Sequence, residues 1–157
     1  MKKILLSLAI IFAACVSCSV PQTAVMNEIR KIDNIQSTRI PVSLISSLSG
    51  LGNKANSIPG LNLSALKNVN SIDIMTINDN GAKNKARKLL EQFYKGNTYE
   101  LIFQSKQNMF QGISMYALPS TKNTYSDVII INDNNADINI VELQGNMSQD
   151  DLNFLDL

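Results

Sequence analysis

The residue types that carry most enzyme chemistry are scarce in this chain. Its 157 residues include no histidine and two cysteines, and both cysteines, Cys15 and Cys18, lie near the N-terminus. Histidine is the commonest general base near neutral pH, and nucleophiles of the Ser-His or Cys-His type depend on it. Such dyads and triads are therefore excluded, which leaves carboxylates, lysines, tyrosines and the two thiols as candidates.

Two glutamates, Glu100 and Glu142, fall in different predicted strands, where their side chains could face each other. Paired carboxylates hydrolyse glycosidic bonds, so this pair defines one alternative function, a carboxylate-dependent hydrolase acting on glycans. The spacing in the sequence does not fix their separation. Asp150 and Asp151 are adjacent acids at a predicted helix start, where they stabilise the helix dipole without any catalytic role.

Asp133, Asn135 and Asp137 alternate as oxygen ligands do in the first half of a calcium-binding loop. The pattern then fails, because Ile138 stands where glycine is needed and Gln144 where a bidentate glutamate is needed. A hairpin turn that favours Asn and Asp explains the same residues. We therefore expect no metal site and no cofactor.

Basic residues crowd a predicted helix that begins at Ala82 and ends at Lys95. These residues are Lys83, Lys85, Arg87, Lys88 and Lys95. They lie largely away from the apolar stripe of Ala82, Ala86, Leu89 and Phe93, so a solvated helix face is the default interpretation. The functional alternative is an electrostatic surface for an anionic glycan, a lipid head group or an acidic partner.

The N-terminus has the pattern of a lipoprotein leader. Lys2 and Lys3 precede a short apolar run, which suits a secretory signal but is too short to span a bilayer as a mature helix. Small residues then lead into two cysteines. We expect a signal peptide over residues 1–17, acylation of Cys18 (alternatively Cys15) and a lipidated tether over residues 18–23. A plain signal peptidase site is the alternative.

The composition excludes other classes. Two of the fourteen basic residues lie in the leader, so twelve face thirteen acidic residues, and this balance gives no reason to expect nucleic acid. No cysteine follows Cys18, so the fold is not a disulfide scaffold. We interpret the tyrosines as core or cross-strand packing residues rather than a sugar-stacking platform; they are Tyr94, Tyr99, Tyr116 and Tyr125.

The remaining residues, 24–157, predict a single α+β domain. It has a mainly antiparallel sheet of five or six strands with helices packed on one face, one strand-helix-strand crossover of right-handed sense, and a C-terminal helix that begins near Ser148. The predicted helices are Ala24–Gln36 and Ala82–Lys95, and the predicted strands are Thr38–Val42, Ser71–Asn78, Tyr99–Gln104, Gly112–Ala117, Tyr125–Ile131 and Asp137–Leu143.

Four segments of this layout resemble a known family, the domain of unknown function numbered 4252, found in small bacterial cell-envelope proteins. The segments are Ser71–Ile74, Tyr99–Ile102, Val128–Ile131 with its Asn/Asp turn, and Ile140–Gly145 followed by a polar-capped helix. The chain departs from the family in its Asn-rich turns, where Gly and Asp are commoner. The resemblance implies an α+β envelope lipoprotein with no catalytic residues to carry over.

Together these observations predict a non-enzymatic protein anchored by acyl chains in the bacterial cell envelope, at the outer membrane. We expect it to bind an envelope protein or ligand in envelope maintenance, sensing or adhesion. The alternative is the carboxylate-dependent hydrolase, acting on envelope glycans.

Overall fold

In the part of the chain that the structure describes, alternation of apolar and polar residues gives a sheet of six strands, on which two α-helices pack. The computed structural model describes residues 21–41, 43–44, 67–108, 111–121 and 123–154. Its elements are α1 (Gln22–Arg30), β1 (Gln36–Pro41), β2 (Val69–Ile77), α2 (Asn80–Tyr94), β3 (Glu100–Asn108), β4 (Gln111–Thr121), β5 (Thr124–Asp133), β6 (Ile138–Ser148) and a 3-10 helix (Asp150–Phe154).

The sheet has the strand order β1-β2-β6-β5-β4-β3, and every neighbouring pair is antiparallel. The predicted α+β class and the antiparallel succession from β3 to β6 are confirmed. β6, the last strand along the chain, lies in the interior of the sheet between β2 and β5. α2 connects β2 with β3, which are separated by three strands, and the right-handed sense of that connection stays a prediction.

The two faces of the sheet bury different apolar clusters, because successive side chains of a strand point to opposite faces. Both helices pack on one face, called here the helix face. Its cluster includes Val25, Met26 and Ile29 from α1, Ala86, Leu90 and Phe93 from α2, and Met75, Ile77, Ile129, Ile131, Ile138 and Ile140 from the sheet. The second face has a cluster that includes Ile72, Met115, Ala117, Tyr125, Val128, Leu143 and Met147.

α2 begins with a side-chain cap and ends close to the predicted residue. The Asp79 carboxylate accepts a hydrogen bond from the Ala82 amide at 2.8 Å, which satisfies one of the free amides of the first turn. The stripe differs from the prediction at one position, because Leu90 is fully buried while Leu89 is only half-buried. At about 100° per residue, Ala82, Ala86, Leu90 and Phe93 span an arc of about 80°, so they still form one helix face.

α1 is shorter than predicted at its C-terminal end. It stops at Arg30 rather than Gln36, and Asn34 adopts a positive φ of 65°. Asparagine tolerates this left-handed conformation better than most residues, and one such residue ends the helical path. The chain then enters β1 at Gln36, so the apolar residues that follow the helix belong to the connection and not to its stripe.

The described chain closes on a 3-10 helix, Asp150–Phe154. The Ser148 hydroxyl accepts from the Asp151 amide at 3.2 Å, and the Asp151 carboxylate accepts from the Ser148 amide at 2.8 Å. This reciprocal pair has the geometry of a capping box.

Several predictions lie outside the described residues. They are the signal peptide, Cys15 and Cys18, and the first part of the tether. Among the residues that are described, no helix has the length and apolar character needed to cross a membrane.

Candidate functional site

The basic residues of α2 divide into two groups, and the first group holds a loop. Lys83 is buried, and its ammonium donates to the Ala136 carbonyl at 2.8 Å. Arg87 donates through Nε and Nη2 to both carboxylate oxygens of Asp133, at 3.0 and 2.8 Å, and also to the Asn134 carbonyl at 3.2 Å. A paired guanidinium and carboxylate fixes geometry as well as charge. Lys83 and Arg87 therefore fasten the β5–β6 loop to α2.

The same loop contains the residues that alternate like calcium ligands. The Asn134 side chain accepts from the amides of Ala136 and Asp137 at 2.8 and 2.9 Å, and it donates to the Asp137 carboxylate at 2.6 Å. The Asp133 carboxylate is already bound by Arg87. Within the described ranges, no three His, Cys, Asp or Glu side chains are grouped so that they could hold a metal ion. The Asn/Asp turn thus satisfies its own polar groups.

The second group of basic residues borders a groove between the two helices, here called the interhelical groove. It has a volume of about 420 Å³ and is lined by Glu28, Lys31, Ile32, Asp33, Lys85, Lys88 and Leu89. Lys85 and Lys88 are exposed, and neither forms an ion pair within the part of the chain that the structure describes. Lys95 is also exposed but lies outside the groove, at the end of α2.

Positive charge in the groove stands over an apolar floor. Ile32 and Leu89 are half-buried against the core of the helix face. On the α1 side, Lys31 pairs with Glu28 at 2.7 Å, so that ammonium is already compensated. Lys85 and Lys88 are three residues apart, which places them on neighbouring positions of one helix face. After that pairing, the lining keeps the ammonium groups of Lys85 and Lys88 against one carboxylate, that of Asp33. This excess of positive charge beside apolar side chains suits a partner that carries carboxylate, phosphate or sulfate groups on an apolar frame.

The glutamates of the hydrolase alternative lie far apart. Glu100 in β3 is separated from Glu142 in β6 by two strands, and three strand spacings amount to about 14 Å. Glu100 faces the second face, where it influences Tyr125, whereas Glu142 is buried on the helix face against Arg30. Glycosidase carboxylates are roughly 5–9.5 Å apart on one cleft. This pair cannot act on one glycosidic bond.

The sequence matches the model of a known family. The family described as a domain of unknown function, DUF4252, matches residues 29–155, which is well over half of the chain. The chain belongs to the DUF4252 family. No curated protein and no solved structure matches the chain.

The segments that carry the resemblance are strands of this DUF4252 domain. Ser71–Ile74 lies in β2, Val128–Ile131 in β5 and Ile140–Gly145 in β6, which are neighbours in the sheet order. Tyr99–Ile102 enters β3 at the edge. The resemblance therefore rests on the residues that build the sheet, and none of the three lysines that line the interhelical groove is part of it.

This DUF4252 domain contains a group of buried charged residues whose ion pairs the sequence does not predict. Glu142 bridges to Arg30 of α1, which brings the helix onto the sheet. Its register partner in β2 is Asp73, also buried, and Arg39 of β1 binds both oxygens of Asp73 at 2.7 and 2.6 Å. The hydrogen bonds from Arg39 lower the pKa of Asp73. The strand alternation places both acids on the buried face, but nothing in the sequence identifies their partners.

Asp127 belongs to the same region and is less well compensated. Tyr99 donates its hydroxyl to Asp127 Oδ2 at 2.6 Å, while Oδ1 is buried and has no hydrogen-bond partner among the described residues. Burial raises the pKa of Asp127, and the Tyr99 hydrogen bond and the Arg30 charge offset part of that effect. Burial, together with the hydrogen bond to Asp127, raises the pKa of Tyr99 as well. Tyr99 and Asp127 thus form a buried hydrogen-bonded pair on the helix face of the sheet.

The predicted packing role of the tyrosines is confirmed for Tyr99, Tyr116 and Tyr125, which are buried. Tyr94 differs, because 36% of its surface is exposed. Its ring stacks on Tyr116 with centroids 5.8 Å apart, and Phe93 meets Tyr116 edge-on at 5.1 Å. Phe93, Tyr94, Tyr99 and Tyr116 thus form one aromatic cluster at the end of α2, with Tyr94 on its outer side.

Proposed function

We propose that this DUF4252 protein is a non-enzymatic, lipid-anchored protein of the bacterial cell envelope that binds an anionic partner in the interhelical groove. The leader pattern and the cysteine at its end support the anchor and favour the outer membrane. The partner is a glycan or an envelope protein that presents acidic groups. Its binding would serve envelope maintenance, sensing or adhesion.

One observation supports the groove more than any other. α2 carries four cations within six residues, and the fold uses two of them, Lys83 and Arg87, to hold the β5–β6 loop. Lys85 and Lys88 are left exposed above the half-buried Leu89. Exposed lysines alone are a normal surface feature. Their position on the rim of a groove with an apolar floor is what favours a bound partner.

The anchor is tested by the intact mass of the protein purified from its native membrane. We expect an N-terminus at Cys18 that carries acyl chains, and loss of that mass in Cys18→Ala. Cys15→Ala is the matched control and should keep the modification. A product cleaved elsewhere and unchanged by either substitution would remove the anchor from the proposal.

The groove is tested by binding of a soluble polyuronate to the anchored protein in zwitterionic vesicles. We expect Lys85→Glu with Lys88→Glu to weaken binding by about tenfold, because reversing two exposed charges is worth on the order of 1–2 kcal/mol. Lys95→Glu, on the same helix but outside the groove, should change it far less. An equal loss of binding in Lys95→Glu and in the double variant would show general charge attraction rather than a specific binding site.

A sensing role makes a separate prediction in cells. Deletion of the gene should change the level of an envelope-stress transcript, and the Lys85→Glu, Lys88→Glu protein should behave like the deletion. Unchanged transcripts under every envelope insult would leave maintenance and adhesion as the roles to examine.

A further inference from the structure

The distance between the lipid anchor and the folded domain is short. Three residues, Ser19, Val20 and Pro21, separate Cys18 from Gln22, so the chain reaches at most about 14 Å between them. Gln22 is already part of the domain. It is buried, it donates to the Phe93 carbonyl at 2.8 Å, and it accepts from the Thr98 and Tyr99 amides at 2.8 and 2.9 Å.

These hydrogen bonds determine which part of the domain lies next to the anchor. Gln22 is held against the end of α2 and the start of β3, so this end of the molecule cannot leave the bilayer surface by more than the length of the tether. Tyr94 directly follows Phe93, and Leu101 in β3 is in register with Tyr116, on which Tyr94 stacks. Tyr94 and Leu101 are therefore neighbours in the same region.

The exposed side chains of this region suit a membrane interface. Leu101 is 52% exposed and Tyr94 is 36% exposed, and they are among the few large apolar residues that the described surface exposes. Lys95 is exposed between them along the chain. The nearby Glu100 is directed to the opposite face of the sheet, beside Tyr125. An aliphatic group, an amphipathic ring and an ammonium, without a carboxylate among them, match the acyl boundary and the anionic head groups.

We propose that Tyr94, Lys95 and Leu101, here called the anchor corner, rest on the lipid bilayer that holds the acyl chains. Leu101 and the Tyr94 ring enter the head-group layer, and Lys95 binds lipid phosphates. This inference depends on the acyl anchor proposed above. It adds a fixed orientation, in which the anchor corner faces the membrane and the β5–β6 loop, at the start of α2, faces away from it.

The test is a nitroxide placed at Leu101→Cys in the full acylated chain. The thiol of Cys18 is blocked by its acyl chain and no other cysteine remains in the mature sequence, so the label is unique. The matched control is Asn84→Cys, an exposed position in the first turns of α2. Both proteins are reconstituted in vesicles of phosphatidylethanolamine and phosphatidylglycerol, and collision rates with oxygen and with an aqueous nickel chelate are measured.

We expect a several-fold higher ratio of oxygen to nickel collisions at position 101 than at position 84. Adding Lys95→Glu should lower the ratio at position 101 in these vesicles but not in phosphatidylcholine alone. Equal ratios at the two positions, in protein whose mass shows acylated Cys18, would overturn the inference and leave the proposed function standing. A mass without acyl chains would overturn both. A label at position 101 that is shielded from oxygen and nickel alike would indicate a second protein there, which also overturns it.

Discussion

Gln22 joins three parts of the molecule through one side chain. Its amide bridges the start of α1 to the end of α2 and the start of β3, and it is packed so closely that a Cβ on Gly96 would overlap it. A buried amide is stable only when its donors and acceptor are satisfied. Here all three partners are backbone groups: the Thr98 and Tyr99 amides have Gln22 as their acceptor, and the Phe93 carbonyl accepts from Gln22 in addition to the Gly96 amide.

Replacing Gln22 by Leu keeps the volume but removes these hydrogen bonds. The amides of Thr98 and Tyr99 would then lose their acceptor, whereas the Phe93 carbonyl keeps the hydrogen bond from the Gly96 amide. We expect a cost of about 2 kcal/mol in the free energy of unfolding. Chemical denaturation measures this loss. The control is Thr23→Leu at the exposed neighbouring position, which should stay within about 0.5 kcal/mol. Similar losses in the two variants would show that the hydrogen bonds of Gln22 are unimportant.

Asp127 predicts a dependence of stability on pH. Because its pKa is raised above the ordinary value of 3.8, the folded state favours the protonated form. The contribution of this group to stability is complete below that ordinary value and is lost as the pH rises through the pKa of the folded state. The stability of Asp127→Asn relative to the unchanged protein should therefore increase from about pH 4 towards neutral pH. Denaturation experiments measure the free energy of unfolding of both proteins across this pH range. If the difference between the two proteins does not change with pH, this expectation is wrong.

The lysines show what a sequence alone cannot resolve at this scale. Lys83, Arg87, Lys85 and Lys88 look alike as a charged helix. The predicted solvated face holds for Lys85 and Lys88 but is wrong for Lys83, which is buried. Lys83 and Arg87 hold the β5–β6 loop because that loop lies beside them. Lys85 and Lys88 face the interhelical groove because the end of α1 lies on their side of the helix. Those contacts join residues about fifty positions apart, and no local pattern encodes them.

The elements themselves followed the sequence closely, except where one residue redirected the chain. The six strands and both helices were predicted at their places, because period-two and helical spacings are local signals. α1 was predicted too long because Ile32 and Ile35 continue its spacing, although Asn34 turns the chain between them. The four strands β3 to β6 extend beyond their predicted C-terminal ends, because cross-strand hydrogen bonds include polar residues that have little strand preference.

The attachment of α2 to the β5–β6 loop can be tested by Arg87→Gln. The substitution leaves the buried Asp133 carboxylate without its paired donor, so we expect a loss of about 1–3 kcal/mol in stability. Amide hydrogen exchange should also rise in the loop, at Asn134 to Asp137. Lys88→Gln, which removes the same charge from the next residue, should leave stability and exchange unchanged. Increased exchange throughout the sheet in Arg87→Gln would instead indicate a general loss of stability.

At the scale of the whole molecule, β6 joins two parts of the sheet. β1 and β2 form a hairpin-like pair on one side of it, and β5, β4 and β3 form a sequential meander on the other. β6 also supplies Ile138 and Ile140 to one core cluster and Leu143 and Met147 to the other. The two apolar clusters therefore meet through this strand.

A chain that ends at Ala136 should therefore lack a cooperative unfolding transition. Adding a peptide of residues 137–157 should restore it, because both neighbouring strands present unpaired edges to β6. The control is the same peptide with Val141→Pro, which cannot pair in an interior strand. Circular dichroism during thermal unfolding measures the transition. A cooperative transition in the shortened chain without any peptide would show that the two parts fold independently.

If the leader directs export as proposed, the interior position of β6 also has a consequence for that export. A chain that passes through a membrane channel emerges N-terminus first, so Cys18 reaches the far side long before Ile138–Ser148 does. Until that last segment has emerged, the sheet lacks the strand that unites it, and the polypeptide stays in the extended form that a narrow channel can pass. For a lipoprotein, this order allows enzymes at the membrane to modify the cysteine while the domain behind it is still open.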